Sequence, residues 1–273
     1  MKALKEISEL WIYPIKSLGG IQLSEAVVSD RGFQHDRRWM LVDEAGKFLS
    51  QREYPNLALL QVNLKQNGLQ VFLKNKSQWQ IEIPFLEKSN YLQVQIWDDT
   101  CEAWQYPNAI NEFFSDYLGQ KVRLVYMPES SRRQVESNYA KNGEITSFSD
   151  GYPFLLIGQS SLDDLNNRLP VPVPMNRFRP NIVFVGADAF EEDSWESFKI
   201  GNIEFFCTKP CARCVVTTIS QETAEPNKEP LKTLSTYRKF GNKILFGQNL
   251  LHKGEGSIRL KDTILDIKKG SVS

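Results

Sequence analysis

Apolar residues alternate with polar ones along most of this chain, and this period of two constrains the fold more than any other feature. In LALLQVNLKQNGLQVFLK, apolar side chains recur at every second position on both sides of Asn67-Gly68, a dipeptide suited to a tight turn with positive φ. WMLVDEAGKFLS likewise predicts a hairpin that turns between Glu44 and Gly46. The sequence therefore predicts an α+β, mainly β fold, with two β-barrel-like domains and a few short helices.

Helical spacing is confined to short segments. In NAINEFFSDYLG, Phe113, Phe114 and Leu118 fall at helical spacing. Gly119 can take the left-handed conformation that ends a helix. Ser160 or Ser161 is expected to cap a second short helix. EPLKTLSTYRKF predicts a third helix, whereas CVVTTIS near the end of the chain predicts a strand.

The length of 273 residues is comfortable for two domains that share an interface. The segment from Pro128 to Gly151 is polar and has little periodicity, so we expect the domain boundary there and divide the chain into residues 1–127 and 128–273. The same segment could also form a mobile lid.

The charges of the chain balance, with 33 basic and 33 acidic side chains. No net field would draw it to nucleic acid or to an anionic membrane, so any basic site must be local. The longest apolar run near the N-terminus, LWIYPI, is too short for a signal peptide or a spanning helix. We therefore expect a soluble, cytoplasmic protein, in which four cysteines serve packing, metal binding or catalysis rather than disulfides.

Three of the four cysteines, Cys207, Cys211 and Cys214, lie within FFCTKPCARCVVTT. Their Cys-x-x-x-Cys-x-x-Cys spacing matches that of a four-iron cluster in radical enzymes, but those enzymes place it early in a parallel α/β barrel. A redox pair at the last two cysteines would require a helix N-terminus, where we predict a strand. Structural zinc requires a fourth ligand, and the candidates lie far away in sequence: His35, His252 and Cys101.

The remaining interpretation is one working thiolate at Cys211 or Cys214, with Cys207 as a small apolar residue at the end of a strand. Arg213 lies between the two candidates, and a nearby guanidinium favours the anionic form of a thiol. A soft thiolate suits a transition metal whose other ligands come from a cofactor. Local chemistry alone does not choose the metal.

Several motifs occur in a fixed order along the chain: LWIYPIKSLGG, GFQHDRRWMLVDEAGKFLSQRE, SSLDDLN, RFRPNIV, EDSW, CARCVVTTI and LFGQN. Together they resemble one known family, the MOSC domain proteins with an N-terminal MOSC β-barrel domain. The resemblance covers nearly the whole chain and is strongest to the molybdenum reductases typified by the mitochondrial amidoxime reducing component and its bacterial relatives. It implies a MOSC N-terminal β-barrel domain at 1–127 and a MOSC domain at 128–273.

The resemblance also implies a site. Cys214 matches the cysteine that coordinates molybdenum in these reductases and is thus the implied catalytic residue, while Cys211 has a supporting role. The positions that match residues in contact with the molybdenum cofactor (molybdopterin), together with the neighbouring arginine, are Lys16, Ser17, Arg37, Arg179, Asn181 and Arg213. Charged and amide groups from separate segments suit a pterin that ends in a phosphate. Ala212 replaces a serine found in some amidoxime reductases, so a side-chain contact is lost there.

The implied activity is the two-electron reduction of small N-hydroxylated compounds, in which molybdenum takes up the oxygen atom. A cofactor carrier, or a sulfur carrier that uses a cysteine persulfide, remains the alternative. No Gly-x-Gly-x-x-Gly fingerprint is present, and no cysteine follows Cys214. We therefore expect electrons from a separate iron-sulfur, haem or flavin protein, and no nucleic-acid or membrane partner.

Overall fold

The computed structural model describes residues 4–140 and 142–270. Three α-helices lie in this part of the chain, α1 (Asn108–Leu118), α2 (Gln159–Asn166) and α3 (Leu231–Leu234), with short 3-10 helices at Pro55–Leu59, Met175–Arg177, Glu191–Ser194 and Val215–Thr218. The strands are β1 (Glu6–Ile12), β2 (Ile21–Leu23), β3 (Glu25–Ser29), β4 (Gly32–Phe33), β5 (Trp39–Val42), β6 (Leu60–Lys65), β7 (Gly68–Leu73), β8 (Lys76–Pro84), β9 (Tyr91–Ile96), β10 (Asp99–Gln105), β11 (Arg123–Tyr126), β12 (Arg133–Gln134), β13 (Ile145–Thr146), β14 (Phe154–Gly158), β15 (Ile182–Val185), β16 (Trp195–Ile200), β17 (Ile203–Ala212), β18 (Lys239–Phe240), β19 (Lys243–Lys253), β20 (Gly256–Arg259) and β21 (Ile264–Lys269). The predicted mainly β fold is confirmed.

The largest sheet has the strand order β2-β1-β15-β14-β19-β17-β16-β21, with β18 paired to β19. Its neighbours are antiparallel except for β14 and β15, which are parallel. Smaller sheets have the orders β5-β11-β10-β9, β20-β3-β4, β6-β7-β8 and β12-β13. Because β1 pairs with β15 and β3 pairs with β20, strands from the start of the chain complete sheets of the second half. The division at residue 127 stays a prediction.

The chain passes directly from one hydrophobic core to another just after β1. Ile12 packs in the core between the large sheet and the β20-β3-β4 sheet. Ile15 and Leu18 pack in the core formed by β5, the β6-β7-β8 sheet and α1. Lys16 and Ser17 lie in this crossing, so burial of their neighbours on both sides fixes where they point.

The predicted helix before Gly119 is confirmed as α1. Its buried side includes Ile110 and Phe114, and Gly119 closes it at φ 67°. Two other local predictions are wrong. The residues after Cys214 form the short 3-10 helix Val215–Thr218 rather than a strand, and α2 has Gly158, not a serine, at its N-cap. No helix in the described part of the chain is long and apolar enough to cross a membrane.

The β6/β7 hairpin is confirmed, but the role predicted for its glycine is wrong. Lys65 pairs with Gly68, so the turn residues are Gln66 and Asn67, and Gly68 is the first residue of β7. A Cβ atom added to Gly68 would lie 2.3 Å from the carbonyl oxygen of Ile83 on β8. Close approach of the neighbouring strand, rather than positive φ, therefore favours glycine at this position.

Buried arginines anchor the polar segment between residues 128 and 151. Arg133 is 5% exposed, pairs with Asp99 at 2.8 Å, and donates to the carbonyls of Ser147 at 2.9 Å and Ser149 at 2.6 Å. Arg31, 2% exposed, donates to the Ser131 carbonyl at 3.1 Å. These bonds satisfy carbonyl groups that the β12-β13 sheet leaves unpaired and hold the segment against the first half of the chain.

Two adjacent arginines test this anchoring. Arg133→Met should lower the free energy of unfolding by about 2–4 kcal/mol, because several buried carbonyls lose their donor. Arg132→Met is the matched control. That side chain is 68% exposed, and its ion pair with Asp30 is long, at 3.7 Å. The free energy of unfolding should therefore change by no more than about 0.5 kcal/mol. Denaturant unfolding of both variants measures the difference, and equal effects would contradict the anchoring role.

Candidate functional site

An open cleft lies where five separate segments meet: the crossing after β1, the residues around β5, and the segments that precede β14, precede β15 and follow β17. It encloses about 870 Å³, including space open to solvent. The structure brings all seven predicted site residues to its lining, namely Lys16, Ser17, Arg37, Arg179, Asn181, Arg213 and Cys214. Residues up to 233 positions apart in the sequence, from Lys16 to Asp150 to Asn249, thus share one surface.

The cleft is strongly cationic although the chain has no net charge. Five basic side chains line it: Lys16, Arg37, Arg52, Arg179 and Arg213. Among the described lining residues Asp150 is the one carboxylate. A concave surface of this sign attracts anions locally.

Three of the lining residues hold a left-handed backbone without being glycine. Ser17 has φ 72°, Arg37 has φ 49° and Arg179 has φ 55°. Such a conformation costs roughly 1–2 kcal/mol for a residue with a Cβ atom, so the surrounding structure must enforce it. Arg37 is held by its backbone N–H, which donates to the Tyr13 carbonyl at 3.0 Å.

Arg37 and Arg179 pack against the same aromatic ring. Each guanidinium lies 4.2 Å from the ring centroid of Tyr13, an arrangement in which the π face stabilises the cations. Arg37 also forms two bonds with buried Asp36, at 2.8 and 2.6 Å. Burial lowers the pKa of Arg179 to about 10, so it stays charged at neutral pH.

Asn181 lines the cleft, but its side chain also joins two strands. Its Oδ1 accepts a bond from the Leu155 N–H at 3.2 Å, and its Nδ2 donates to the Trp11 carbonyl at 3.2 Å. The side chain is 2% exposed. It therefore fixes the relative positions of β1 and β14, which carry neighbouring parts of the cleft.

Each of the two thiols in the cleft contacts a guanidinium of its own. Arg213 Nη1 lies 2.9 Å from Cys211 Sγ, and Arg52 Nη2 lies 3.2 Å from Cys214 Sγ. The sequence suggested Arg213 as the cation for either thiol, whereas the structure pairs Cys214 with Arg52. That contact joins residues 162 positions apart, so no local pattern could predict it.

The other two cysteines lie in different surroundings. Burial raises the pKa of Cys207 to about 12, with the Glu192 carboxylate adding to the effect, and burial raises the pKa of Cys101 to about 11. Across residues 4–140 and 142–270, no three side chains of the His, Cys, Asp and Glu types converge as a metal-ligand group.

An ionic network that the sequence did not reveal forms one wall of the cleft. Lys16 Nζ donates to Asp150 Oδ1 at 2.6 Å and to the Phe148 carbonyl at 2.9 Å. Arg52 lies 3.7 Å from Asp150 Oδ2, and its guanidinium lies 4.4 Å from the ring centroid of Trp97. Partial desolvation works against ionisation of Asp150, but the charges of Lys16 and Arg52 outweigh it and lower its pKa.

Three residues weighed from the sequence lie outside the cleft. Ser160 Oγ donates to the Ala187 carbonyl at 2.6 Å, and Ser161 Oγ donates to buried Glu192 at 2.8 Å. His35 stacks on Phe85 with 5.1 Å between ring centroids, and burial lowers its pKa. These contacts serve packing and the N-terminus of α2.

Comparisons with known proteins match both halves of the chain. The family described as MOSC N-terminal beta barrel domain matches residues 4–121, and the MOSC domain family matches residues 144–265. Mitochondrial amidoxime-reducing component 1 of Mus musculus is 31% identical, over 94% of this chain and 81% of that protein. Mitochondrial amidoxime reducing component 2 of Rattus norvegicus is 32% identical, over 94% and 82%. Molybdenum cofactor sulfurase of Homo sapiens is 29% identical, over 90% of this chain and 30% of that protein.

The burial of Lys16 predicts a pH-dependent anion affinity. Desolvation lowers its pKa to about 8 although Asp150 acts in the opposite direction, so Lys16 is charged below this pH and neutral above it. Two of its three N–H groups have partners, which leaves one for an anion. Sulfate, whose charge is constant, should bind about tenfold more weakly to cofactor-free protein at about pH 9 than at about pH 7, measured by calorimetry.

Lys16→Met is the control for this titration. The variant should bind sulfate weakly at both pH values, because no lysine remains to lose its proton. A wild-type affinity that does not change between the two pH values would show that Lys16 takes no part in anion binding.

Proposed function

The chain belongs to the MOSC family, and from that membership we propose that it is a molybdenum-cofactor-dependent oxidoreductase that reduces N-hydroxylated compounds. The observation that carries the proposal is the position of Cys214, whose thiol lines a cationic cleft together with every other residue predicted to contact the cofactor. The names of the relatives support the substrate class, because an amidoxime carries an N-hydroxyl group.

The donors of the cleft fit a cofactor that ends in a phosphate. Lys16, Arg37 and Arg179 supply cationic N–H groups of the kind that bind phosphate oxygens strongly. Arg213 Nε is buried and finds no hydrogen-bond partner among the described residues, a cost that a ligand oxygen or nitrogen would remove. The hydroxyl of Ser17 makes one long hydrogen bond, of 3.4 Å, to the Leu49 carbonyl. It is a further donor that could turn to the cofactor phosphate.

Cys214 would hold the molybdenum as a soft thiolate ligand. When bound, the cofactor supplies the two-electron redox chemistry, and the overall reaction uses two electrons and two protons to convert the N-hydroxyl compound to its reduced form and water. The residues of the chain would bind and orient the cofactor. Lys16, Arg37 and Arg179 would hold its phosphate, and Arg52 would keep the Cys214 sulfur in place by donating to it.

Electrons in this proposal come from a separate protein, such as an iron-sulfur, haem or flavin carrier. The sequence contains no dinucleotide-binding fingerprint, and the relatives carry the word component in their names, which fits a multi-protein system. The four cysteines are unpaired and fit a reducing compartment such as the cytoplasm. The predicted domains, 1–127 and 128–273, would each contribute residues to the cofactor site.

A sulfur carrier is the second candidate function. The similarity to a molybdenum cofactor sulfurase supports it, as does the presence of two thiols in one cleft. A persulfide on Cys211 or Cys214 would then carry the sulfur atom. A cofactor carrier without turnover is related to both candidates and shares their binding site.

Metal analysis and an activity assay distinguish these functions. Protein produced in a host that makes the cofactor should contain about one molybdenum per chain, and should reduce an amidoxime with a reduced dye as donor. Molybdenum without turnover would indicate the carrier. Labile sulfur on a cysteine without molybdenum would indicate the sulfur carrier and overturn the reductase.

Substitution of the two cysteines distinguishes the proposed metal ligand, Cys214, from the neighbouring thiol, Cys211. Cys214→Ser should lose both molybdenum and activity, because a hydroxyl is a harder ligand that ionises far less readily than a thiol. Cys211→Ala should keep its molybdenum, since that sulfur contacts Arg213 rather than serving as ligand. Elemental analysis of both variants is the measurement, and equal metal loss would reject a single thiolate ligand.

A further inference from the structure

Arg52 is the one side chain among the described residues that joins the Cys214 sulfur to Asp150 and Trp97. Its Nη2 lies 3.2 Å from Cys214 Sγ and 3.7 Å from Asp150 Oδ2. The guanidinium carbon lies 4.4 Å from the ring centroid of Trp97. A guanidinium that is 26% exposed and restrained on three sides has a defined orientation.

The turn that carries Arg52 is itself fixed from both sides of the cleft. Its backbone N–H donates to Ser50 Oγ at 3.2 Å. Neighbouring Gln51, 1% exposed, donates to the Ser17 carbonyl at 2.6 Å and exchanges amide bonds of 3.2 and 3.0 Å with Gln221. Arg52 is therefore held by the same framework that positions Ser17 and the segment after Cys214.

A hydrogen bond to a ligand sulfur changes the electronic character of the metal that the sulfur binds. Donation from a cation withdraws electron density from the thiolate and stabilises the state of the centre with more negative charge, which is the reduced state. Such a hydrogen bond requires direct contact with the ligand atom. Arg213 contacts the other thiol, Cys211, so Arg52 is the arginine whose geometry meets this condition.

We propose that Arg52 is a positioning residue that raises the reduction potential of the molybdenum centre by donating a charged hydrogen bond to the Cys214 sulfur. This inference rests on the proposed function. Asp150 and Trp97 hold the guanidinium in contact with the sulfur. These two residues therefore also take part in setting the reduction potential. No contact between Arg52 and the substrate is required.

The test is a spectroscopically monitored redox titration of molybdenum-loaded wild type, Arg52→Met and Arg52→Lys. Arg52→Met should shift the midpoint potential in the negative direction, because both the hydrogen bond and the charge are lost. Arg52→Lys should give a smaller negative shift, since the charge remains but the planar donor that reaches sulfur and Asp150 together does not.

Arg168→Met is the matched control. Arg168 also pairs with an aspartate, Asp164 at 2.9 Å, and also stacks on an aromatic ring, Tyr237 at 4.3 Å. Neither partner is a thiol, and none of the three residues lines the cleft. Its variant should have the wild-type potential, so a shift in the Arg52 variants alone is not a general effect of losing a paired and stacked arginine, and Arg52→Lys then separates the contact with Cys214 from the charge.

The outcomes separate this inference from the proposed function. Wild-type protein that binds no molybdenum would overturn the proposed function and this inference with it. Wild-type protein that binds molybdenum, with Arg52 variants at the wild-type potential, would overturn the role of Arg52 alone. If Arg52→Met loses its metal, the test rests on Arg52→Lys. A negative shift of its midpoint potential supports the role of Arg52, and an unchanged midpoint potential overturns it.

Discussion

Repulsion among five cations in one cleft is the constraint on which the architecture of the site depends. Lys16, Arg37, Arg52, Arg179 and Arg213 share a surface with one lining carboxylate among the described residues, in a chain of zero net charge. The fold offsets the repulsion locally, by packing two guanidinium groups on the Tyr13 ring and by burying Asp36 against one of them. A bound phosphate would relieve what remains, which links the fold to cofactor binding.

Buried polar side chains in and around the cleft fix the positions of its walls relative to one another. Asn181 ties β1 to β14, Gln51 ties the turn that carries Arg52 to Gln221, and Arg133 donates to the carbonyls that precede Asp150. Each of these side chains is at most 5% exposed. Buried polar groups with their bonds satisfied specify one arrangement of the chain, and here that arrangement brings a thiol, a guanidinium and a carboxylate into contact.

The sequence predicted the elements and the cleft residues better than the contacts between them. Period-two patterning predicted the mainly β fold, and helical spacing predicted α1, because both are local properties. The role of Gly68 depends on Ile83 in a neighbouring strand, and was mistaken for a turn requirement. Arg52 and Asp150 were missed because their partners lie 162 and 134 residues away. The resemblance to a known family identified the seven residues that the structure brings together, which spacing alone could not do.

The proposed function requires Cys214 to be the protein ligand of a molybdenum centre in this cleft. Anomalous diffraction from crystals of the cofactor-loaded protein, with data collected on both sides of the molybdenum absorption edge, locates the metal directly. The proposed function predicts one anomalous peak in the cleft at metal–thiolate bonding distance from Cys214 Sγ, with the Arg52 guanidinium still in contact with that sulfur. A peak bonded to Cys211 Sγ instead, or one outside the cleft, would contradict it.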